Sequence, residues 1–103
     1  TLYLMSLSKK QLKFLRAKCH DLKAVIMMGQ KGLTEEVLSE MDIALTHHEL
    51  VKIKLSVDDR ELRKQLITEI CDKTQAQEVQ SIGKTLSIYR VNPDKAVIEL
   101  PKG

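Results

Sequence analysis

The sequence has few aromatic residues, few cysteines and no long hydrophobic segment. Aromatic residues make up 3% of the 103 residues and tryptophan is absent, so the chain offers little on which nucleobases could stack. The two cysteines, Cys19 and Cys71, lack CxxC spacing, and we predict that both are buried and reduced. The longest apolar run, Ala24 to Met28, is far shorter than the ~20 residues that span a bilayer. Because Thr1 to Met5 also lacks the features of a signal peptide, we expect a cytoplasmic protein.

The composition otherwise suits one folded domain. Hydrophobic residues make up 43% and charged residues 30%, which excludes intrinsic disorder and collagen. The net charge of +3 conceals an uneven distribution. Residues 1–34 contain seven basic residues and one acidic residue, a net +6, whereas residues 35–103 contain ten basic and thirteen acidic residues, a net −3. Such a polarised charge favours a polyanionic partner.

Hydrophobic periodicity predicts three helices, each preceded by a candidate N-cap. The caps are Ser8, which forms a capping box with Gln11, then Thr34, and then the pair Asp58-Asp59. Apolar residues at helical spacing define the face that each helix should bury. These faces consist of Leu12, Leu15 and Cys19 in the first helix; Val37, Leu38, Met41, Ala44 and Leu45 in the second, which should end near His47-His48; and Leu62, Leu66, Ile67, Ile70 and Cys71 in the third.

Strands are predicted between and after these helices. The unbroken apolar run at 24–28 indicates a strand that is covered on both faces or central in a sheet. Residues 51–55 alternate, so that Lys52 and Lys54 should face away from the core. Further strands are predicted at 79–82 and 86–91, followed by a turn at 92–94 and a short edge strand at 96–100. The order α-β-α-β-α-β-β predicts a single two-layer α/β domain with a mixed four-stranded sheet.

Two glycines flank Gln30 and Lys31 between the first predicted strand and the second helix. In Gly29-Gln30-Lys31-Gly32, the glycines permit positive φ and close backbone approach, while Lys31 and the helix N-terminus supply positive charge for a phosphate. KH-type modules clamp a nucleic-acid backbone with a GxxG of this kind. The alternative is a plain turn that needs its glycines, and Glu35 and Glu36 place negative charge in the same helical turn.

The remaining polar motifs indicate no catalytic or metal site. Gly83-Lys84-Thr85 resembles the end of a P-loop, but Glu78 stands where the first glycine is required. His47-His48 lies at a helix end, where histidine is favoured by the helix dipole, and no HExxH or paired-cysteine motif accompanies it. We therefore expect no enzyme activity, no metal and no cofactor. Lys84 is either a solvated turn residue or a useful cation at the tip of a hairpin.

Arg90 has two interpretations. It is in phase with Leu86 and Ile88 on one side of the last predicted strand, whereas Ser87 and Tyr89 share the other side. An arginine at such a position usually extends to the rim of the core or pairs with an acidic residue. The alternative is a phosphate contact at the edge of the sheet.

Taken together, these segments resemble the bacterial YhbY-type CRM domain, named for chloroplast RNA splicing and ribosome maturation. The resemblance covers nearly the whole chain, from Leu7 to Pro101, and is carried by the combination LxxxxH…GxxGLTE…HHELxKxK…GKTLxxYR. The combination is specific, although each part alone is not. The chain departs from the family pattern at Asp21, Ala24 and Glu36, and the two acidic residues weaken the local positive potential.

The resemblance implies a small RNA-binding domain, similar in fold to the C-terminal domain of a translation initiation factor. It implies a non-enzymatic protein that assists ribosome assembly by binding ribosomal RNA of large-subunit precursors. We expect a monomer with no membrane or small-molecule partner. The domain should span residues 7–101, with a leader at 1–6 that is partly foreign to the native chain if Met5 is the natural start, and a tail at 102–103.

The residues that match the family's RNA-binding surface lie on the first helix and in the GxxG loop. RNA contacts are expected at Lys9, Lys10, Lys13, Arg16, Gly29, Gln30, Lys31 and Gly32 and, as an extension of that surface, at Lys52, Lys54, Lys84 and Arg90. The alternative function is a protein-interaction module that contacts a ribosomal protein or a translation factor without binding RNA directly.

Overall fold

A computed structural model describes residues 8–29 and 32–91 as three helices and a four-stranded sheet. The predicted order of elements and the mixed sheet are confirmed. The predicted turn at 92–94 and edge strand at 96–100 lie outside the described residues, as do the leader at 1–6 and the tail at 102–103. Across 8–29 and 32–91, no helix is long and apolar enough to cross a membrane. The elements are α1 (Lys9–Cys19), β1 (Ile26–Met28), α2 (Glu35–His48), β2 (Leu50–Leu55), α3 (Arg60–Thr74), β3 (Gln77–Ile82) and β4 (Thr85–Tyr89).

The strands are arranged in the order β1-β2-β4-β3. β1 is parallel to β2, whereas β4 is antiparallel to both β2 and β3. Because parallel strands end at the same edge of a sheet, β1 and β2 both finish where β3 ends and β4 begins. We call this edge the GxxG edge. It brings together the turn after β1, the connection between β2 and α3, and the β3–β4 hairpin.

Side-chain caps fix the start of every helix, as predicted. The Ser8 hydroxyl accepts a hydrogen bond from the Gln11 backbone N–H at 3.1 Å, and the Gln11 side chain accepts one from the Ser8 N–H at 3.0 Å, which completes the capping box. Thr34 caps α2 by accepting from the Val37 N–H at 3.2 Å. Asp59, the second residue of the predicted pair, caps α3. These bonds satisfy backbone donors that a helix leaves free in its first turn.

Helices α2 and α3 cover one face of the sheet. Alternation along β2 directs Val51, Ile53 and Leu55 to this face, and each is at most 1% exposed. Most of the predicted helical stripes are confirmed, but Leu62 is 45% exposed and lies outside the core. The main core therefore forms between the sheet and the α2–α3 pair. Its helical members are Met41, Leu45, Leu66, Ile67 and Ile70, with Val37, Ala44 and Cys71 packed at its margin.

Helix α1 lies on the opposite face and covers only part of it. Leu15 and Cys19 pack there against Leu50, Val79 and Tyr89 in a second, smaller core. The predicted two layers are thus the sheet and the α2–α3 pair, and α1 adds a partial third layer.

Strand β1 is less covered than its sequence indicates. The expectation that it is central or covered on both faces is wrong: within residues 8–29 and 32–91, β1 lies at the edge of the sheet, and its middle residue, Met27, is 68% exposed. The preceding Val25 is 61% exposed. α1 does not extend over this part of the sheet, so apolar side chains on this face remain open to solvent.

Candidate nucleic-acid interface

Helix α1 presents a positively charged surface. It contains five basic residues and no acidic residue between Lys9 and Cys19. The apolar positions Leu15 and Cys19 attach it to the sheet, which turns the charged positions outward. In the part of the chain that the structure describes, no ion pair involves a basic residue of this helix. The exposed basic residues are Lys9, Lys10, Lys13, Arg16 and Lys18.

The opposite layer carries the opposite charge. α2 contains four acidic residues and neither lysine nor arginine, so the sheet separates a helix of charge +5 from one of charge −4. The charged side chains of both helices are exposed. A polyanion approaching the molecule is therefore attracted to the α1 face and repelled by the α2 face. The acidic residues of α2 are Glu35, Glu36, Glu40 and Asp42.

Two basic residues of α1 also make local contacts. The Arg16 Nε donates a hydrogen bond to the Val79 carbonyl oxygen at 3.1 Å, at the irregularity in β3 between Glu78 and Gln80. This bond ties α1 to the edge strand but uses one of the five N–H donors of the guanidinium. The Lys18 ammonium lies 5.2 Å from the centre of the Phe14 ring, a cation–π contact. Both side chains are exposed, so both can still contact an anion.

The GxxG turn follows β1 at the GxxG edge. The Gly32 N–H donates to the Gly29 carbonyl oxygen at 3.1 Å, so the two glycines of the turn are joined directly. The predicted site residues between them, Gln30 and Lys31, lie outside the described residues. Gly32 has a φ of +78°, which only glycine adopts at little cost, whereas Gly29 needs no such φ. A Cβ at Gly29 would meet no atom within 4 Å, so the backbone here is open to a ligand.

The end of β2 connects this turn to the β3–β4 hairpin. The Ser56 N–H donates to the Met28 carbonyl oxygen at 2.8 Å, and the Leu55 N–H donates to the Lys84 carbonyl oxygen at 2.6 Å. The structure therefore brings Lys84 to the same edge as Gly29. The Lys84 ammonium lies 2.6 Å from Asp58 Oδ1 and holds the pKa of that carboxyl below its usual value. Part of its charge is thus compensated within the protein.

Lys52 and Lys54 share one face of β2 but have different surroundings. The half-buried Lys52 donates from Nζ to the carbonyl oxygens of Cys19 and Leu22, at 3.1 and 3.3 Å. These carbonyls lie at the end of α1 and just beyond it, and that of Cys19 also accepts a hydrogen bond from the Leu22 N–H at 3.1 Å. Lys54 is exposed and lies opposite Met27 on β1. Lys52 thus fastens α1 to the sheet, whereas the ammonium of Lys54 faces solvent.

Arg90 lies on the other side of the molecule. Its Nη1 donates to Asp42 Oδ1 at 2.8 Å and to the Thr74 carbonyl oxygen at 3.0 Å. Its Nη2 donates to the Asp42 carbonyl oxygen and to Thr46 Oγ1, both at 3.1 Å. The side chain therefore joins α2 and α3 to the end of β4, in agreement with the first interpretation of its sequence position. It is not brought together with α1 or with the GxxG edge.

Two groups that can lose a proton, the half-buried Cys71 thiol and the buried Tyr89 hydroxyl, have raised pKa values. Burial, with a smaller effect of Glu78, raises the pKa of the Cys71 thiol to about 11, so this free cysteine is not an activated nucleophile. Burial, with a smaller effect of Glu49, raises the pKa of Tyr89 to about 12. Within 8–29 and 32–91, no group of three or more histidine, cysteine or carboxylate side chains is placed to hold a metal ion.

The sequence did not predict a row of four side chains beside α1, of which three are exposed and one, Thr85, is half-buried. The strand register aligns Met27 with Lys54, Lys54 with Thr85, and Thr85 with Ile82. We call these four residues the open face. No signal in the sequence revealed this row, because the apolar run of β1 indicated burial instead. Among the described residues the face instead stays uncovered, because α1 ends at the neighbouring row, beside Lys52.

Comparison with known proteins places this fold among RNA-binding relatives. The chain matches the model of the CRS1/YhbY (CRM) domain over residues 7–90. It is 45% identical over 97 residues to a protein of Haemophilus influenzae named as an RNA-binding protein, with 94% of this chain and 97% of that protein covered. It is 43% identical over 89 residues to a protein of Pseudomonas aeruginosa named as a probable RNA-binding protein, with 86% of each covered.

A solved structure is similar over the same length. The solution structure of a hypothetical protein of Staphylococcus aureus, for which RNA binding has been suggested, superposes with a TM-score of 0.79 at 29% identity. The superposition covers 92% of this chain and 99% of that protein.

Proposed function

This chain belongs to the CRS1/YhbY (CRM) domain family, and from that membership we propose that it binds RNA with the α1 surface and the GxxG edge. The observation that carries the proposal is the set of exposed basic residues on α1, which have no ion-pair partner among the described residues. The relatives that are named as RNA-binding proteins support it. The function is binding without catalysis.

The phosphates of the RNA are the groups that this surface is suited to hold. The proposed contacts are the basic residues of α1, the GxxG turn, Lys54 and, with part of its charge compensated, Lys84. If ~4–6 phosphates are neutralised, the logarithm of the binding constant falls with the logarithm of salt concentration at a slope of roughly −3 to −5. We assign Lys52 and Arg90 to the support of this surface rather than to contact with RNA. The proposed contacts in full are Lys9, Lys10, Lys13, Arg16, Gly29, Gln30, Lys31, Gly32, Lys54 and Lys84.

The cellular partner that we propose is the ribosomal RNA of precursors of the large ribosomal subunit. The resemblance to YhbY-type domains supports this choice. The protein would act there as a monomeric assembly factor. Sedimentation of the tagged protein with ribosomal particles, before and after RNase treatment, tests this partner. Cosedimentation that survives complete RNase treatment would contradict it.

Charge reversal tests the binding surface. We expect the double variant Lys10→Glu/Lys13→Glu to lose at least about tenfold in RNA affinity and to flatten the salt slope by roughly 1.4–1.8. The matched control is Arg60→Glu/Lys64→Glu, which makes the same charge change at exposed positions of α3 in the opposite layer. Thermal unfolding checks that both variants are folded. Equal losses in the two variants would contradict the proposed surface, because they would reflect net charge alone.

A second candidate function is favoured by apolar side chains on the other layer. Ile43 on α2 is 56% exposed and Leu62 on α3 is 45% exposed, which suits contact with a protein. Cross-linking in cell extract separates the two functions. RNA adducts support the first, and adducts with protein alone support the second.

A further inference from the structure

The open face is an uncovered part of the sheet that adjoins the GxxG edge. Its four residues form one row across all four strands, with Met27 at one end, Ile82 at the other, and Lys54 and Thr85 between them. Met27 and Ile82 are 68% and 62% exposed, more than the other large apolar residues in the described part of the chain. The row thus has two apolar ends and a cation near its centre.

A shallow cleft deepens the open face at the Ile82 end. It lies between the last turn of α1 and strands β4 and β3, and its volume is about 150 Å³. Ile82 forms an apolar wall, and the Gln80 amide, the Thr85 hydroxyl and the His20 imidazole supply hydrogen-bonding groups. An apolar wall with a few polar groups suits one planar heterocycle.

We propose that the open face receives unpaired nucleotides of the bound RNA, an inference that rests on the RNA binding proposed above. One base lies in the cleft against Ile82, where the Gln80 amide can donate to or accept from its edge. A second base covers Met27. The ammonium of Lys54 holds a phosphate between them. Because these contacts are aliphatic rather than aromatic, they favour unpaired bases without strong selection of one base over another.

The spacing of the row favours single-stranded over double-stranded RNA. Three strand spacings of ~4.8 Å place the two ends of the row about 14 Å apart. An RNA duplex presents phosphates and 2′-hydroxyls at its surface, and these cannot cover two exposed aliphatic side chains without losing hydration. The apolar faces of unpaired bases can cover these side chains without that loss. Consecutive stacked nucleotides advance only ~3.4 Å along a strand, so a strand that spans the row places more than one nucleotide on it.

Charge and position favour RNA over a protein partner on this face. Lys54 lies within the row, α1 adjoins it on one side, and the GxxG edge adjoins it on the other. A protein that covered Met27 and Ile82 would also have to neutralise these cations. An RNA strand already held by its phosphates at α1 and the GxxG edge brings its own negative charge, and its bases are then within reach of the open face.

Two hairpin RNAs of equal total length test the inference. One carries a short single-stranded extension and the other is blunt. The variant Met27→Thr/Ile82→Thr removes the apolar ends while keeping residues that favour strands. We expect it to bind the extended hairpin about tenfold more weakly than the wild type does, as loss of partial burial of two apolar side chains predicts, and to bind the blunt hairpin unchanged. The matched control, Ile43→Gln/Leu62→Gln, removes exposed apolar side chains from the opposite layer and should change neither affinity.

Methyl NMR gives a direct measurement. Ring currents of a nearby base should shift the Met27 ε-methyl resonance when the extended hairpin is added, and the Met27→Thr spectrum identifies that resonance. Met28 and Met41 are fully buried and serve as internal references that should not shift.

Each outcome decides between the two proposals. Equal wild-type affinity for both hairpins, with an unmoved Met27 methyl, overturns the open-face inference and leaves phosphate binding intact. Failure of the wild type to bind either hairpin overturns both. If cross-linking in cell extract captures a ribosomal protein with the wild type but not with Met27→Thr/Ile82→Thr, and the RNA affinity of that variant is unchanged, the open face binds a protein and the inference is overturned.

Discussion

Lys52 and Lys54 allow structural support to be separated from RNA contact within a single strand. Both are lysines on the same face of β2, two residues apart, but only Lys52 has its ammonium bonded to the end of α1. Replacing each by methionine, in separate variants, removes the charge while keeping a long side chain. We expect Lys52→Met to lose stability but keep its RNA contacts, and Lys54→Met to lose an RNA contact but keep its stability.

The stability effect follows from the two hydrogen bonds of Lys52. Hydrogen bonds to a charged group contribute up to ~1.5–3 kcal/mol each, but the residue is half-buried and the freed carbonyls can bind water. We therefore expect Lys52→Met to lower the free energy of unfolding by about 1–2 kcal/mol. For a domain of this size that corresponds to a fall in Tm of roughly 4–16 °C. Lys54→Met should change the unfolding free energy by no more than ~0.5 kcal/mol, as is usual for an exposed position.

In RNA binding, we expect the larger change for Lys54→Met rather than for Lys52→Met. Loss of one phosphate contact flattens the salt slope by ~0.7–0.9, and we expect this for Lys54→Met but not for Lys52→Met. Urea unfolding followed by circular dichroism gives the stabilities. Fluorescence anisotropy at several salt concentrations, well below the lower Tm, gives the slopes. A Lys52→Met variant of unchanged stability and reduced slope would refute the assignment, because its ammonium would then act on RNA and not on α1.

Three further variants test other parts of the structure. Gly29→Ala should leave the unfolding free energy unchanged or raise it by up to ~1 kcal/mol, because the added Cβ meets nothing within 4 Å. The same variant should bind RNA more weakly than the wild type does. Unchanged RNA affinity would contradict a close phosphate contact at the turn. Arg90→Met should cost about 2–3 kcal/mol of stability by urea unfolding, since it leaves Asp42 and a buried helix end without their partner, and should not alter the RNA affinity of the folded protein. The pKa of Tyr89 is raised to about 12 from an ordinary 10.0, so the neutral hydroxyl contributes its full stabilisation below pH ~10. The unfolding free energy should then fall by up to ~1.4 kcal/mol per pH unit as the pH rises towards 12. Tyr89→Phe should remove this contribution to the pH dependence, as measured by unfolding at a series of alkaline pH values.

The order of elements and the starts of the helices could be predicted because both depend on local chemistry. A serine, threonine or aspartate caps the residues two or three positions ahead of it, and neither partner depends on the rest of the fold. The alternation of β2 was likewise sufficient to place Val51, Ile53 and Leu55 in the core. These predictions succeeded because in each of them cause and effect lie within a few residues.

The roles of the charged residues could not be predicted in the same way. Lys52 and Lys54 have equivalent positions in the alternation of β2, and only the docking of α1 makes one of them a helix cap. Arg90 finds its carboxylate on Asp42, 48 residues earlier in the chain. Met27 lies in an apolar run that is typical of a buried strand, and its exposure depends on where α1 ends over the sheet. Each role is set by packing between elements that are distant in sequence.

The acidic residues near the GxxG turn limit the direction from which RNA can approach. Glu35 and Glu36 begin α2 immediately after this turn, and Asp58 stands beside Lys84 at the same edge. A phosphate that approached the turn from the α2 side would meet these carboxylates and be repelled by their like charge. From the α1 side it meets the basic helix and Lys54 instead. We therefore expect the acidic residues at this edge to restrict the proposed RNA contact to the α1 side rather than to abolish it, and the open face lies on that side.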